Sequence, residues 1–245
     1  MIVVVGLAFE ARIAAGPGSQ IICSGDGRNL TETISRAVAG GCSGLLSFGV
    51  AGGLDPTLPP GTCVIGSSVL SGKRRVAMDQ RWSQRLLQAI PNPVHGALLG
   101  VHAPIATPEA KRALYLKTGA VAVDMESHVV ANVAAAHDIP MAAIRVITDP
   151  AQRPIPDSAL VAMRSNGTID VCAVLRSLLR KPRDLLGLMR IASDARAARA
   201  TLRRGRQLLG PGLGIPEFRH IETWRANATV LGYARSDRPA LQPAE

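Results

Sequence analysis

The sequence predicts an α/β protein: a three-layer αβα sandwich followed by a basic helical appendage. Three observations carry this reading. From residue 2 to about residue 165, short apolar runs alternate with stretches of helical periodicity, the pattern of a sheet covered by helices on both faces. Those runs are nearly all apolar, Met141 to Ile147 most clearly, as strands buried on both faces are. The composition then changes: between Val171 and Gly210 ten arginines and lysines stand against Asp184 and Asp194, a net +8 of the chain's +10.

In order, Ile2 to Gly6 reads as a buried first strand, and Leu7 to Ala15 as a loop or helix bearing Glu10. Gln20 to Ser24 is a second strand. Gly25-Asp26-Gly27-Arg28 feeds a helix from about Leu30 to Ala39. Such a turn can present backbone N–H groups to an anion, with Arg28 adding positive charge; the same composition also makes a plain turn. Gly44 to Phe48 is the third strand, entering Gly49-Val50-Ala51-Gly52-Gly53. This is no dinucleotide fingerprint, because the third glycine is missing and no helix begins there. Its small residues let a flat ligand lie against the backbone. After the turn-rich Asp55 to Gly61, Thr62 to Val69 is a strand, Gln80 to Ile90 an amphipathic helix and Ala97 to Val101 another strand. Thr107 and Pro108 begin the next helix as N-cap and first helical residue. Ala120 to Val123 is a short strand that hands over at Asp124-Met125-Glu126 to a helix, Ser127 to His137. Met141 to Ile147 follows, ends at Thr148-Asp149, and is stopped by Pro150. Asp157 to Ser165 is expected to be the last helix of the sandwich. Asp170 to Leu209 reads as two basic amphipathic helices broken near Lys181-Pro182, and Gly210 to Glu245 as an extended or disordered tail. The expected units are thus residues 1–168, 169–210 and 211–245.

Hydrophobic residues make up 47% of the 245 and aromatics only 3%, so the core is expected to be Val, Leu, Ile and Ala. Cys23, Cys42, Cys63 and Cys172 lack metal-ligand spacing; no metal is expected, and a reduced, cytoplasmic protein is. Met1 to Val5 has neither the basic start nor the length of a signal peptide, and no apolar run reaches membrane-spanning length. The basic helices place arginines beside Leu, Met and Ala rather than aromatic stackers. That disfavours nucleic acid and fits a helix lying on an anionic membrane surface; the same apolar stripe could also pack on the α/β core with its arginines solvated.

Glu126 and Asp149 are the candidates for chemistry. Both stand at loop-facing ends of buried strands, where an open α/β sheet places its ligand. Each also has an ordinary structural reading, Asp149 as a turn former and Glu126 as a first-turn glutamate.

Three motifs, in order, resemble the purine nucleoside phosphorylase and methylthioadenosine nucleosidase superfamily: Gly49-Val50-Ala51-Gly52-Gly53-Leu54, Val123-Asp124-Met125-Glu126 and Arg145-Val146-Ile147-Thr148-Asp149. The likeness covers roughly residues 1 to 165. Gly6 to Arg12 and Ala106 to Leu114 are similar to the hopanoid-associated branch, implicated in removing adenine from adenosylhopane.

The resemblance implies a central mixed β-sheet, a homo-oligomer, no cofactor, and cleavage of an N-ribosidic bond through an oxocarbenium-like transition state. Asp149 would donate a proton toward purine N7, which requires it to hold a proton at neutral pH, as an apolar strand end favours. Glu126 would accept hydrogen bonds from the ribose hydroxyls, with Met125 packing on the sugar; a core methionine reads the same way. Ala51, Gly52 and Ile105 would lie along the substrate, Ile105 in place of an aromatic that stacks on the base in relatives. Arg145 is expected to pair with a nearby acid and to have no catalytic role. The nucleophile stays open. Glu10 is the nearest glutamate for activating water, but it sits one residue closer to Gly6 than in nucleosidases, and Val50 replaces their serine. Gly6, Arg28 and the Gly25–Gly27 turn would instead hold phosphate as co-substrate, and the balance leans to phosphate. Adenosylhopane is the expected substrate. The alternatives are methylthioadenosine or S-adenosylhomocysteine, a general purine nucleoside, or a non-catalytic nucleoside-binding or membrane-associated protein.

Overall fold

The computed structural model describes residues 1–24, 29–156 and 184–216. The Gly25–Arg28 turn, the helix expected at Asp157 to Ser165, the first basic helix up to residue 183 and the tail from 217 lie outside the described residues.

The described elements are β1 (Ile2–Val5), α1 (Ala8–Ala14), β2 (Gln20–Cys23), α2 (Leu30–Ala39), β3 (Leu45–Gly53), β4 (Cys63–Ser71), β5 (Arg74–Ala77), α3 (Gln80–Ala89), β6 (Val94–Gly100), α4 (Pro108–Thr118), β7 (Ala122–Asp124), α5 (Ser127–Ala136), β8 (Met141–Asp149) and α6 (Asp184–Leu209). Helix starts follow their side chains. Asn29 accepts from the Glu32 N–H, Asp79 from Trp82 and Thr107 from Ala110, each supplying an acceptor to a helix end that lacks one.

One mixed sheet of eight strands results. β1 pairs in parallel with β2 and β3, β3 with β8 in parallel, and β3 with β7 in antiparallel through Gly52 and Gly53. β6 joins β7 and β4 in parallel, and β4 runs antiparallel to β8 and β5. The strands β3, β7, β6, β4 and β8 therefore close into a ring. Alternation along the strands sends Ile2, Val4, Met141, Ala143 and Ile147 to one helix layer, with Ile34 of α2 and Val130 of α5. Val3, Val5, Ala142, Ile144 and Val146 go to the other, with Ala14 of α1, Trp82 and Leu86 of α3 and Leu202 of α6.

Three differences from the sequence reading have physical causes. β3 does not stop at Phe48: the Gly49–Gly53 run keeps pairing, first with β8 and then with β7. β5 has no apolar alternation to announce it; it forms because Gly72, at φ +58°, turns the chain back so that Arg74 pairs with Ser71. The charge of α6 reads as an appendage, yet its inner face belongs to the core. Ala198 and Leu202 are 0% and 1% exposed, and burying the leucine is worth roughly 1.5–3 kcal/mol. Thr201 Oγ1 donates to the Gly61 carbonyl at 3.1 Å, Arg153 pairs with Asp194 at 2.7 Å, and Trp82 Nε1 donates to the Leu213 carbonyl at 3.0 Å. A chain ending near Thr168 would uncover this layer. Among the described residues no helix is long and apolar enough to cross a membrane.

Candidate active site

Buried polar groups gather at the C-terminal ends of β1, β2, β3, β7 and β8. Arg145 of β8 is fully buried. Its Nε lies 3.3 Å from Asp124 Oδ2, and its Nη2 donates to Ser47 Oγ at 2.6 Å and Ser127 Oγ at 3.2 Å. Burial works against its charge, but Asp124, Glu126 and Glu10 outweigh that and hold the guanidinium cationic. Asp124 Oδ1 in turn accepts from the N–H groups of Glu126 at 2.9 Å and Ser127 at 2.6 Å. The buried pair thereby fixes the turn from β7 into α5, and with it the backbone that carries Glu126.

Glu126 is 14% exposed at its side chain and sits 3.6 Å from Arg145 Nη2. Its Oε1 accepts from Ser24 Oγ at 3.1 Å. Burial, reinforced by Asp124, pushes its carboxyl up from the ordinary range, while Arg145 and Ser24 oppose the shift. Gly6 faces it so closely that a Cβ there would lie 2.8 Å from Glu126 Oε1. The neighbouring Met125 is 38% exposed, so it stands at the rim of the site and not in the core.

Glu10 is 1% exposed. It occupies the third position of α1 and reaches back to the Leu7 N–H, as a capping glutamate does. It does more than cap. Oε2 also accepts from the Gly6 N–H at 2.8 Å, and Oε1 accepts from the Val50 N–H at 2.7 Å. Burial pushes its pKa up from 4.5 to about 7, against the pull of Arg145 and the backbone donors. The expected role of Gly6 changes accordingly. Its N–H, assigned from sequence to a phosphate, is already taken by the Glu10 carboxylate, and a second anion there would meet like charge. Arg28, the other expected phosphate ligand, lies outside the described residues.

Asp149 ends β8 on the other side of β3. An apolar wall was expected around it; the structure places a cation there. Lys111 of α4 is 0% exposed, and its Nζ donates to Asp149 Oδ2 at 2.8 Å. The same ammonium reaches the carbonyls of Asp149, Pro150 and Arg153 at 3.4, 3.1 and 3.3 Å. Thr148 Oγ1 donates to Asp149 Oδ1 at 3.0 Å. Gly52 lies against this carboxylate: a Cβ there would come within 2.9 Å of Oδ2. The Ala51 carbonyl lies 3.3 Å from the same Thr148 hydroxyl, whose one proton it shares with Asp149 as alternative acceptor, and the Ala51 side chain turns into the core. Ile105 packs, partly buried, with Leu54 and Val123. Lys111 escaped the sequence reading, although a signal was there: it shares a helical face with Leu114 and Tyr115, which pack in the same apolar cluster as Ile105.

Two groups of side chains thus flank the end of β3. Glu10, Glu126 and Arg145 gather at Val50; Asp149 and Lys111 gather at Gly52. Two residues of strand separate them by about 6–7 Å, a span suited to a sugar on one side and its leaving group on the other.

Solved structures share this fold. The futalosine hydrolase of Helicobacter pylori aligns at 13% identity with a TM-score of 0.59, over 85% of this chain and 94% of its own. The 5′-methylthioadenosine/S-adenosylhomocysteine nucleosidase of Campylobacter jejuni aligns at 14% identity and 0.59, over 85% and 96%. A mutant Helicobacter pylori nucleosidase with 5′-methylthioadenosine in its active site aligns at 13% and 0.55, over 85% and 95%. A search of curated proteins gives no match. The phosphorylase superfamily profile matches residues 15–180. With that match over more than half of its length, the chain belongs to the phosphorylase superfamily and is an enzyme of that superfamily.

Proposed function

We propose that the protein hydrolyses the N-ribosidic bond of an adenine nucleoside. One observation carries the choice of water over phosphate: the Glu10 carboxylate holds the Gly6, Leu7 and Val50 N–H groups. It fills the anion position at the first strand end, and at a pKa of about 7 it can take a proton from water at neutral pH. Among the described residues Oε1 accepts a single hydrogen bond, which leaves a lone pair for a water. In the proposed step Glu10 removes a proton as the water oxygen bonds to C1′. The C1′–N9 electron pair passes into the purine, and Asp149 delivers a proton to N7. Glu126, fixed by Arg145 and Ser24, accepts from the ribose hydroxyls. Met125 and Ile105 supply apolar contact to the sugar and the base.

The likeness of Gly6 to Arg12 and Ala106 to Leu114 to the hopanoid-associated branch makes adenosylhopane the first substrate to try, with methylthioadenosine beside it. The test is incubation with each, with and without phosphate, and identification of the sugar. A free reducing sugar formed at equal rate in phosphate-free buffer is expected. A sugar 1-phosphate, formed only with phosphate, would replace hydrolysis by phosphorolysis.

Glu126→Ala is expected to weaken transition-state binding by about 2–4 kcal/mol, the range for a lost hydrogen-bonded charged acceptor. Discrimination against a 2′,3′-dideoxy substrate should shrink with it. If the variant still discriminates as strongly as wild type, Glu126 does not hold the hydroxyls.

A lipid-linked nucleoside would also need the enzyme at a membrane. The outer face of α6 exposes Arg190, Arg196, Arg203 and Arg204, and a basic residue near an anionic leaflet contributes roughly 1 kcal/mol. Full-length protein should co-sediment with anionic vesicles at low salt and be released at high salt. Protein that stays in the supernatant at low salt rules this association out.

A further inference from the structure

We propose that Lys111 is the source of the proton that Asp149 passes to the departing base, a positioning residue that acts entirely through that carboxylate. The inference rests on the reading of Asp149 given above and extends it to a residue to which no role has been assigned. A lysine ammonium is almost never fully buried without a specific partner. Lys111 is completely buried, and among the described residues the one charged atom it touches is Asp149 Oδ2, at 2.8 Å. Its other acceptors are carbonyls of the Asp149–Arg153 turn. Thr148 Oγ1 lies between the second carboxylate oxygen, at 3.0 Å, and the Ala51 carbonyl, at 3.3 Å, with one proton to give. The ammonium on Oδ2 carries three, so the carboxyl that faces the base has a proton supply bonded to it.

The asymmetry of exposure sets the direction. The Asp149 side chain is 22% exposed and Lys111 is 0%, so a nucleoside can meet only the carboxylate. One proton moves twice: from Nζ to Oδ2, and from Oδ2 to N7 as the C1′–N9 electron pair enters the purine. Lys111 is left as a neutral amine, and a proton from solvent, entering through Asp149, restores it before the next turnover. The three carbonyl contacts keep Nζ on Oδ2 and tie the turn after β8 in place.

Two substrates separate this role from a purely structural one. Adenosine releases a base that must be protonated. p-Nitrophenyl β-D-ribofuranoside releases a phenolate that leaves without a proton. Lys111→Met removes the proton source. Lys111→Arg keeps a cation and donors for the turn but cannot give up its proton. Both variants should lose about 10²–10⁴-fold in rate on adenosine while releasing nitrophenol near the wild-type rate. Lys111→Gln, which still donates to the carbonyls, replaces either variant if it does not fold. Asp149→Asn combined with Lys111→Met should lose no more on adenosine than Asp149→Asn alone. A folded Lys111→Arg that keeps the adenosine rate, or a folded variant that loses both substrates equally, overturns the proposal. Wild-type adenosine turnover in Asp149→Asn would instead overturn the underlying reading of Asp149.

Discussion

Asp149→Asn lowers adenine release from adenosine by about 10²–10⁴-fold, the usual cost of losing a positioned proton donor, and leaves release of nitrophenol from its aryl riboside nearly unchanged. The amide cannot pass a proton to N7, but the ribose site at Glu126 lies on the far side of β3 and keeps its partners Ser24 and Arg145. The substitution also costs stability. It leaves the buried Lys111 ammonium with neutral acceptors in place of the carboxylate, and breaking one side of a buried ion pair typically costs about 3–5 kcal/mol. For a chain of this size each kcal/mol lowers Tm by about 2–4 °C, so thermal unfolding and kinetics should be measured on the same sample below the transition. A well-folded Asp149→Asn with wild-type turnover removes Asp149 from the chemistry. Loss of both substrates together would mean that the aspartate holds the site in shape and does not serve the leaving group.

What the sequence showed and what it hid follow from the range of the forces involved. Strands such as Met141–Asp149 and helices such as Ser127–Ala136 were legible because apolar period and caps are local. The handover at Asp124 and the placing of Glu126 and Asp149 at strand ends were legible for the same reason. The partners of those groups were not. Lys111 lies 38 residues from Asp149 and Val50 lies 40 from Glu10, and neither contact leaves a local pattern. For α6 composition left both a membrane-facing and a core-packed stripe open, and only the fold shows the inner face of Ala198 and Leu202 that completes the core. For Gly6 the motif suggested a free anion site; only the fold brings the first-turn glutamate back onto its N–H.

Glu10→Gln has the second large effect, and its pattern is the reverse of the first. Adenosine and the aryl riboside should both lose about 10²–10⁴-fold, because a general base for water serves either leaving group. In wild-type protein the rate should rise as pH passes through about 7, where Glu10 ionises in the fold. Stability should move the opposite way. The folded-state pKa is raised from 4.5 to about 7 by burial, so the fold favours the protonated carboxyl. That contribution is complete below about pH 4.5 and is lost as pH climbs to about 7, an effect on the order of 3 kcal/mol. Glu126, raised in the same direction by burial and Asp124, adds to it. Glu10→Gln should flatten the part of this slope that belongs to Glu10. The amide also turns an N–H toward backbone donors at Gly6 and Leu7 or at Val50, which costs about 1–3 kcal/mol for the unsatisfied group. The measurement is Tm and initial rate between pH 5 and 8 for both proteins in phosphate-free buffer. A wild-type rate that is flat through pH 7, or one restored only by added phosphate, would return Glu10 to a capping role and give the nucleophile's place to phosphate.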